Sequence, residues 1–445
     1  MPGRAILSLG KAGAPAPELL VRPGAHVKVG QAIAEVLGAD RRCIVSPISG
    51  TVEQGRPAAA GARSLTIVSD GSPAWLPLEE VIRDWRSQPR ERLEDLLYAA
   101  GIEGLPTRLS TAAIGPGDVA DVVLNAVAAD AYEPSASLLL GGRHEHLAEA
   151  AGILRALYPG ARLHLAIDDR SERLLSSLRR SLRDVPLAWH RLPARYPQQM
   201  EVLLHDAVSD RRRAPGVSAL QSGTLVLDLQ KALALRDAVA AGRPAVTRIV
   251  ALCGPGFVRN LHLRVRIGTP LAEVTGRYLR TDVACRVVEN SLLRGSTLDP
   301  AAWAVAPLCS ALIAVPEHPS GELLSFARPG LHKDSYSRTF VAGLLPLAKG
   351  ADTNLHGERR PCIACGFCES VCPARIMPHL LHRYVQRDFV DETLIRFGIE
   401  RCIDCNLCTY VCTSKIDVAS LLRAGKEKLA AEGLLGTARA SGAAP

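Results

Sequence analysis

The sequence predicts a multidomain chain of mixed α/β and α+β architecture with a helical, cysteine-rich domain near its end. Its 445 residues correspond to three or four domains at roughly 100 to 200 residues each. The chain is 47% hydrophobic and 22% charged, which indicates a globular protein. Glycine-punctuated strands come first, alternating strands and helices follow, and eight cysteines at a repeated spacing come last. This order of patterns predicts the fold class.

Composition and charge exclude several function classes. The net charge is +8, but the 53 Lys and Arg residues are dispersed among 45 acidic ones, so we expect no nucleic-acid partner. The longest apolar run, Ala301–Val315, contains a proline and is shorter than the about 20 residues of a membrane-spanning helix. The N-terminus shows no signal-peptide pattern. Twelve cysteines in such a chain favour a reducing compartment and metal binding over disulfides.

Residues 1–90 are predicted to form a small all-β domain. Between Arg22 and Gly55 the strands are short and alternating, and Gly24, Gly30 and Gly50 mark tight turns. The apolar residues expected to face inward are Val27, Val29, Ile33, Val36, Ile44 and Val52. The segment resembles a barrel-sandwich (biotinyl/lipoyl-like) hammerhead. The turn where a carrier domain would have a lysine reads GADRR, so a structural or docking role is favoured over a carrier role.

Residues 91–215 are predicted to form a Rossmann-like α/β domain. Ser135–Gly142 is interpreted as a strand, Arg143–Gly160 as a helix, and a further strand and helix follow. The helix presents apolar residues at Leu147, Ala150, Ile153, Leu154 and Leu157. This order predicts a parallel crossover unit, whose strand ends form a crevice suited to a nucleotide.

Residues 216–275 are predicted to form a β-grasp (SLBB) domain, and residues 276–350 a connecting β region that returns to the barrel-sandwich. In the segment from Asn260 to Pro270, four apolar residues alternate with His262, Arg264 and Arg266, which predicts a strand with one buried and one basic face. The basic face could bind an anion or a partner, but a solvated surface is favoured.

Residues 351–434 are predicted to form a helical domain with two [4Fe-4S] clusters, followed by a disordered tail at 435–445. The spacing C-x2-C-x2-C-x3-C occurs twice. In such motifs the first three cysteines bind one cluster and the fourth reaches the other. The predicted ligands of cluster I are Cys362, Cys365, Cys368 and Cys412. The predicted ligands of cluster II are Cys402, Cys405, Cys408 and Cys372.

Several alternatives accompany this assignment. Structural zinc is disfavoured, because zinc prefers two cysteine pairs separated by a longer loop. Thr413 could donate to a cluster sulfur, but a helix cap is favoured. Cys43, Cys253, Cys285 and Cys309 are expected to be buried thiols. His144 and His146 lie at i and i+2 of a predicted helix, which argues against a metal site. Five arginines near cluster I could dock an acidic electron donor or balance cluster charge: Arg359, Arg360, Arg375, Arg383 and Arg387.

The order of these parts resembles the C subunit of the Rnf ion-translocating oxidoreductases and the related A subunit of sodium-pumping NADH:quinone reductases. The landmarks are SPISGTV, RLPARYPQQMEVLL, RIVALCGPGFVRNLHLRVRIGTP and the double cysteine motif. ENSLLRGSTL and LLSFARPGLHKDSYSRTF look closer to the A subunit, which lacks the cluster cysteines.

The resemblance implies a glycine-rich loop of the form GxGGAGFPT that binds FMN and NADH, followed by an acidic element. Here the loop is reduced to GIEGLPTRLS and the acidic element to ADAYEPSAS. The cofactor-binding candidates that remain are Gly101, Gly104, Thr107 and Glu133. A phosphate cradle needs consecutive backbone N–H groups exposed by glycine, which two isolated glycines do not supply. This argues against FMN and NADH, and leaves both as open alternatives.

The sequence thus predicts a peripheral electron-transfer subunit on the cytoplasmic side of the membrane, within an ion-translocating oxidoreductase complex. The resemblance implies membrane subunits as partners, with ferredoxin or NADH as the donor and quinone as a further candidate ligand. The alternatives are an NADH- and FMN-dependent dehydrogenase subunit, and a docking or quinone-binding subunit with a mainly structural role. Catalysis by this chain alone is left open.

Overall fold

The computed structural model describes residues 1–10, 17–36, 41–54, 63–78, 84–109, 114–317, 345, 351–353 and 359–435. Four β-sheets precede a helical segment that carries the eight clustered cysteines. The mixed α/β, multidomain architecture predicted from the sequence is therefore confirmed. The segment LLSFARPGLHKDSYSRTF, most of the GADRR turn and residues 436–445 of the predicted tail lie outside the described residues. No helix in the described ranges has both the length and the apolarity to cross a membrane.

The N-terminal part consists of two small antiparallel sheets around a shared core. Its strands are β1 (Arg4–Gly10), β2 (Glu18–Leu19), β3 (His26–Val27), β4 (Ala32–Val36), β5 (Arg42–Val45), β6 (Gly50–Gln54) and β7 (Arg63–Ser69). One sheet has the order β1-β7-β6-β3 and the other β2-β4-β5. Val27, Ile33 and Val52 are buried between them, as the alternation predicted. A Cβ on Gly50 would lie 1.9 Å from the Val68 carbonyl oxygen, so this position requires glycine.

The second part is a four-stranded parallel sheet of order β10-β9-β8-β11. Its helices and strands are α1 (Arg90–Ala99), β8 (Asp121–Ala126), α2 (Ala136–Leu140), α3 (His144–Leu157), β9 (Arg162–Asp168), α4 (Glu172–Ser181), β10 (Ala188–Leu192), α5 (Glu201–Val208), β11 (Thr224–Asp228) and α6 (Leu229–Ala241). Val122 and Leu124 pack on one face with α3 and α6, whereas Val123 packs on the other with α5. The five predicted apolar residues of α3 are all buried.

The predicted strand at Ser135–Gly142 is wrong, because this segment contains α2. The Ser135 hydroxyl accepts a hydrogen bond from the Leu138 N–H at 3.3 Å, and Gly141 ends the helix in the left-handed conformation. The apolar run LLL lacks the alternation that distinguishes a strand, so it fits a short buried helix equally well. The strand that begins the parallel sheet is β8, which the sequence interpretation missed.

A buried carboxylate lies at the amino end of β8. Asp121 is fully buried and accepts hydrogen bonds from Arg162 Nε at 3.0 Å, His164 Nε2 at 3.0 Å and Ser209 Oγ at 2.7 Å. Burial tends to raise the pKa of Asp121, but the hydrogen bonds from Ser209, His164 and Arg162 outweigh burial and hold the pKa below its ordinary value. The charged carboxylate therefore ties β8, β9 and the segment after α5 together.

We expect Asp121→Ala to lower the free energy of unfolding by about 2 to 4 kcal/mol, since it removes the acceptor of the buried His164 Nε2 and of the Ser209 hydroxyl and one of the two carboxylates that pair with Arg162. Asp210→Ala is the matched control: Asp210 contacts the same Arg162 at 2.6 Å, but its side chain is 85% exposed. Asp210→Ala should therefore lower the free energy of unfolding by only about 0 to 1 kcal/mol. Denaturant unfolding compares the two variants, and equal losses would contradict the assignment.

The third part is a five-stranded mixed sheet of order β13-β12-β16-β14-β15. It comprises β12 (Thr247–Cys253), β13 (Leu261–Arg266), α7 (Leu271–Thr275), β14 (Cys285–Glu289), β15 (Thr297–Leu298) and β16 (Ala311–Pro316). In β13, Val265 is buried while His262 and Arg264 are exposed, which confirms the predicted apolar and basic faces.

The predicted divisions at residues 215/216 and 275/276 do not coincide with these sheets. Strand β11 pairs with β8 in the parallel sheet, and α6 packs in the same core, although both were assigned to the β-grasp domain. Conversely, β14, β15 and β16 complete the sheet of β12 and β13. Strand pairing is non-local, so a strand–helix–strand pattern does not reveal which sheet each strand joins.

The cysteine-rich part is mainly helical, as predicted. Its helices are α8 (Phe367–Ser370), α9 (Pro378–Gln386), α10 (Glu392–Arg396), α11 (Leu407–Tyr410) and α12 (Val418–Ala431). Their small core contains Leu381, Leu394 and Leu422, and several of the clustered cysteines pack against it. The long helices α9 and α12 therefore form a scaffold behind the cysteine loops.

Candidate iron-sulfur centre

The two cysteine motifs have the same local structure. Cys362 corresponds to Cys402, and the helices α8 and α9 begin 40 residues before their counterparts α11 and α12. Left-handed backbone conformations also recur: Ala364 and Gly366 correspond to Asp404 and Asn406. Residues in this conformation turn the chain sharply. Each motif thus curls its first three cysteines around a common point and then enters a helix.

Backbone N–H groups point toward the sulfurs in both halves. The Ala364 N–H lies 3.4 Å from Cys362 Sγ, and the Ile416 N–H lies 3.4 Å from Cys412 Sγ. Hydrogen bonds to the sulfurs help to set the potential of an iron-sulfur cluster. The surroundings therefore suit thiolates that carry negative charge.

The fourth cysteine of each motif lies close to the cysteines of the other. Burial raises the pKa of Cys368 to about 11, and the neighbouring Cys365, Cys362 and Cys412 add to the rise. Burial likewise raises the pKa of Cys405, with Cys372 among the groups that add to the rise. Clustered thiols without a cation repel one another as thiolates, and bound iron removes that cost by holding them deprotonated. The donor set therefore fits two [4Fe-4S] clusters.

Within the described ranges, no three or more His, Cys, Asp or Glu side chains are arranged to share a single metal ion. A four-iron cluster, in contrast, has a separate iron atom for each thiolate.

The Thr413 hydroxyl lies 3.8 Å from Cys365 Sγ. The favoured expectation, that Thr413 caps the following helix, is wrong, because Asp417 caps α12 by accepting from the Ser420 N–H at 3.2 Å. Thr413 is instead a weak hydrogen-bonding partner of a predicted cluster ligand.

The two cysteine loops differ in their surroundings. Cys365 is exposed and Ile363 in the same loop is 69% exposed, whereas Cys405 is buried. The Tyr196 hydroxyl donates to the Cys405 carbonyl oxygen at 2.6 Å, and Asn406 Nδ2 donates to the Leu293 carbonyl oxygen at 2.5 Å. The second loop is thus fixed against the sheets, while the first faces solvent.

The contact region around Cys405 lies beside the carboxyl edge of the parallel sheet. Tyr196 follows β10, and its hydroxyl interacts with Ser291 as well as with the Cys405 carbonyl. Asp130, in the loop after β8, accepts from Gln199 Nε2 at 3.3 Å and also interacts with Ser291. These polar contacts connect the loops that follow β8 and β10 to the second cysteine loop.

This edge of the sheet is acidic. Glu133 accepts hydrogen bonds from the Ala129 and Asp130 N–H groups, both at 3.2 Å. Burial raises the pKa of Glu133 to about 7, and the nearby Asp130 and Asp228 carboxylates add to the rise. Asp228 caps α6 by accepting from the Lys231 N–H at 2.8 Å. Carboxylates therefore occupy the donors that could otherwise bind an anion here.

The four predicted nucleotide-binding residues have different surroundings. Gly101 terminates α1, and a Cβ there would lie 3.1 Å from Val45 Cγ2, so this glycine serves helix termination and packing. A Cβ on Gly104 would lie 3.3 Å from Lys231 Nζ. Thr107 is half-buried in the same loop. Together with the acidic edge, these four residues do not form a phosphate cradle for FMN or NADH.

The remaining candidates behave mostly as expected. Cys43, Cys253 and Cys309 are buried, Cys285 is half-buried, and burial raises the pKa of all four thiols. His144 Nδ1 lies 2.9 Å from Ser177 Oγ, which gives it a structural partner. The sequence interpretation assigned no role to Tyr196, Ser291 or Leu293. The only signal was that they lie within the landmark segments RLPARYPQQMEVLL and ENSLLRGSTL.

Comparisons with known proteins agree with this site. A family model described as "4Fe-4S dicluster domain" matches residues 361–416. The curated C subunit of the ion-translocating oxidoreductase complex of Pseudomonas aeruginosa is 29% identical over 88% of this chain and 48% of its own length. Its namesake from Salmonella choleraesuis is 25% identical over 82% of this chain and 49% of its own length. The chain therefore spans about half the length of these relatives.

Among solved structures, an NAD+-reducing [NiFe]-hydrogenase in the H2-reduced state aligns over 80% of this chain and 63% of its own, with a TM-score of 0.46 and 14% identity. The dicluster match and the donor set indicate two [4Fe-4S] clusters. This chain is therefore similar in sequence to the C subunits of ion-translocating oxidoreductase complexes, and its residues 361–416 match a 4Fe-4S dicluster domain.

Proposed function

We propose that this chain relays electrons one at a time through two [4Fe-4S] clusters, as a peripheral subunit of a membrane-bound ion-translocating oxidoreductase complex, on its cytoplasmic side. The observation that carries the proposal is the pair of matching cysteine loops, each with its fourth cysteine beside the other loop. In this proposal Cys362, Cys365, Cys368 and Cys412 bind cluster I, and Cys402, Cys405, Cys408 and Cys372 bind cluster II. The clusters supply the redox chemistry. The chain positions both clusters and shields cluster II from solvent.

The two cluster sites differ in solvent exposure, and this difference indicates which cluster faces the subunit and which faces outward. Cys405 is buried against the loops after β8 and β10, whereas Cys365 is exposed. We infer that cluster II faces the body of the subunit and cluster I faces an external redox partner. The barrel-sandwich hammerhead assignment of the N-terminal sheets belongs to the same proposal, as does the β-grasp assignment, which we now apply to the five-stranded sheet of β12 and β13. Both units would dock the subunit to its complex.

The surface around cluster I suits an acidic redox protein such as a ferredoxin. Arg359, Arg360, Arg375, Arg383 and Arg387 are all exposed. Among the described residues none of the five has a carboxylate partner within ion-pair distance. Electrostatic complementarity of this kind mainly accelerates association.

Charge reversal tests this surface. Arg383→Glu combined with Arg387→Glu should slow electron transfer with a reduced ferredoxin by about tenfold or more at low ionic strength, and the difference should shrink as salt screens the charges. Arg173→Glu with Arg180→Glu changes the same charge on exposed positions of α4 and should have little effect. Stopped-flow kinetics measures both, and equal slowing would refute a specific docking surface.

The function itself is tested in the assembled complex with Cys365→Ser. We expect loss of electron transfer while the complex still assembles, because the relay loses cluster I but the scaffold of α9 and α12 remains. Cys285→Ser changes a cysteine outside both motifs and should leave transfer intact. A docking or quinone-binding subunit would instead lose assembly or show no change. Stoichiometric FMN released from the purified chain would favour the dehydrogenase alternative.

A further inference from the structure

A cleft lined by arginines lies where the three β-containing parts of the chain meet, away from the cysteine loops. Its volume is about 640 Å³, within the roughly 300 to 1,000 Å³ typical of small-molecule sites. Its walls are α6, the strands β12 and β13, and the segment around Trp75. The cleft includes the basic face of β13, which the proposed electron relay does not use.

Specific contacts hold these walls in place. Gln230 on α6 binds the backbone of Ile249 on β12 twice, donating to its carbonyl oxygen at 3.1 Å and accepting from its N–H at 2.8 Å. The Leu78 N–H donates to the Gly242 carbonyl oxygen at 3.3 Å, which fixes the N-terminal part against the end of α6. The cleft is therefore built from anchored elements, as a pre-formed site requires.

The lining is strongly basic. Five arginines contribute to it, and Asp237 is the one acidic residue among the described lining residues. Two of the arginines are occupied: Arg143 donates to the Leu139 and Leu140 carbonyl oxygens, and Arg248 lies 3.6 Å from Asp228. Asp237 is itself paired with Arg236 at 3.1 Å.

The other three arginines have no carboxylate within ion-pair distance in the described part of the chain: they are Arg243, Arg264 and Arg266. Arg266 is half-buried, and its guanidinium lies 4.9 Å from the centre of the Trp75 ring. Its Nη1 is buried without a hydrogen-bond acceptor in the described structure. Buried donors are nearly always paired, so this atom lacks a partner that an anion would supply. Trp75 is 41% exposed, which leaves ring surface for stacking.

We propose that this cleft binds a small organic phosphate with a planar ring, of the nucleotide class. Arg264 and Arg266 bind the phosphate, because planar guanidinium groups match its geometry, with Arg243 adding positive charge. Trp75 stacks on the ring. Such a ligand would connect the N-terminal part, α6 and β13, and it would act independently of the clusters.

Calorimetry on the intact, cluster-loaded chain tests the proposal with ADP, pyrophosphate and adenosine as separate probes. We expect one ADP per chain, weaker binding of pyrophosphate and no detectable binding of adenosine. Arg264→Gln and Arg266→Gln should each weaken ADP binding by about tenfold or more, the usual effect of removing a hydrogen bond to a charged group. Trp75→Leu should weaken ADP but leave pyrophosphate unchanged.

Arg180→Gln on α4 removes an exposed arginine outside the cleft and should bind ADP like the wild type. Arg266 packs on Trp75, so Arg266→Gln also removes this packing. Arg264 is exposed, so Arg264→Gln tests phosphate binding without disturbing Trp75. Iron content and cluster spectra should not change in any of these variants. Absence of ADP binding at millimolar concentration, or binding that neither Arg264→Gln nor Arg266→Gln weakens, would overturn the proposal.

Discussion

Cys412→Ser and Cys372→Ser should each remove one complete cluster, so that iron falls from about eight to about four atoms per chain. The expected partner of Cys412 is the loop of Cys362, Cys365 and Cys368, although Cys412 belongs to the second motif. Serine is a poor ligand for iron in these clusters, and a cubane with three thiolates is labile. Iron analysis and EPR of the reduced protein, prepared without oxygen, measure the loss.

Double variants show whether the ligands cross between motifs. If they do, Cys365→Ser with Cys412→Ser damages one cluster and retains about four iron atoms, whereas Cys365→Ser with Cys372→Ser damages both. If each motif bound its own cluster, the two results would be exchanged. Cys285→Ser is the control for substitution of a cysteine outside the motifs. The pattern of the two double variants therefore decides the ligand sets irrespective of how labile each single variant is.

Glu133→Gln should make the protein more stable than the wild type above neutral pH. Burial, together with Asp130 and Asp228, raises the folded-state pKa of Glu133 from an ordinary value near 4.5 to about 7. Because folding raises the pKa, protonated Glu133 contributes to stability. This contribution is fully present below the unfolded-state pKa and is lost as the pH rises through about 7. Glutamine retains an acceptor for the Ala129 and Asp130 N–H groups and does not titrate.

Between about pH 5.5 and about pH 8, the wild type should lose about 2 kcal/mol of unfolding free energy relative to Glu133→Gln. Denaturant unfolding at several pH values measures the difference. Glu145→Gln, an exposed position on α3, should follow the wild-type pH profile. A constant difference between wild type and Glu133→Gln across this range would show that the carboxyl group does not change its protonation there.

The sequence by itself determined the iron-sulfur domain, because its information is local. Cysteines separated by only two residues can bind one cluster together only if the loop curls tightly. Left-handed residues between the cysteines produce this curl in both motifs. The buried and basic faces of β13 were equally predictable from its strict alternation, since side chains in a strand alternate between its two faces. The main features of α3 followed from its helical periodicity and glycine boundary.

Only the tertiary structure decided how these pieces are combined. Strand β11 joins the parallel sheet rather than the sheet of β12, because pairing depends on burial against partners distant in the chain. The acidic surroundings of Glu133 arise from Asp130, which follows β8, and Asp228, which ends β11; these residues meet only at the sheet edge. The contrast between the buried Cys405 and the exposed Cys365 likewise comes from contacts with Tyr196 and Leu293. Two motifs with the same spacing thus acquire different environments, because a spacing specifies a loop and not what packs against it.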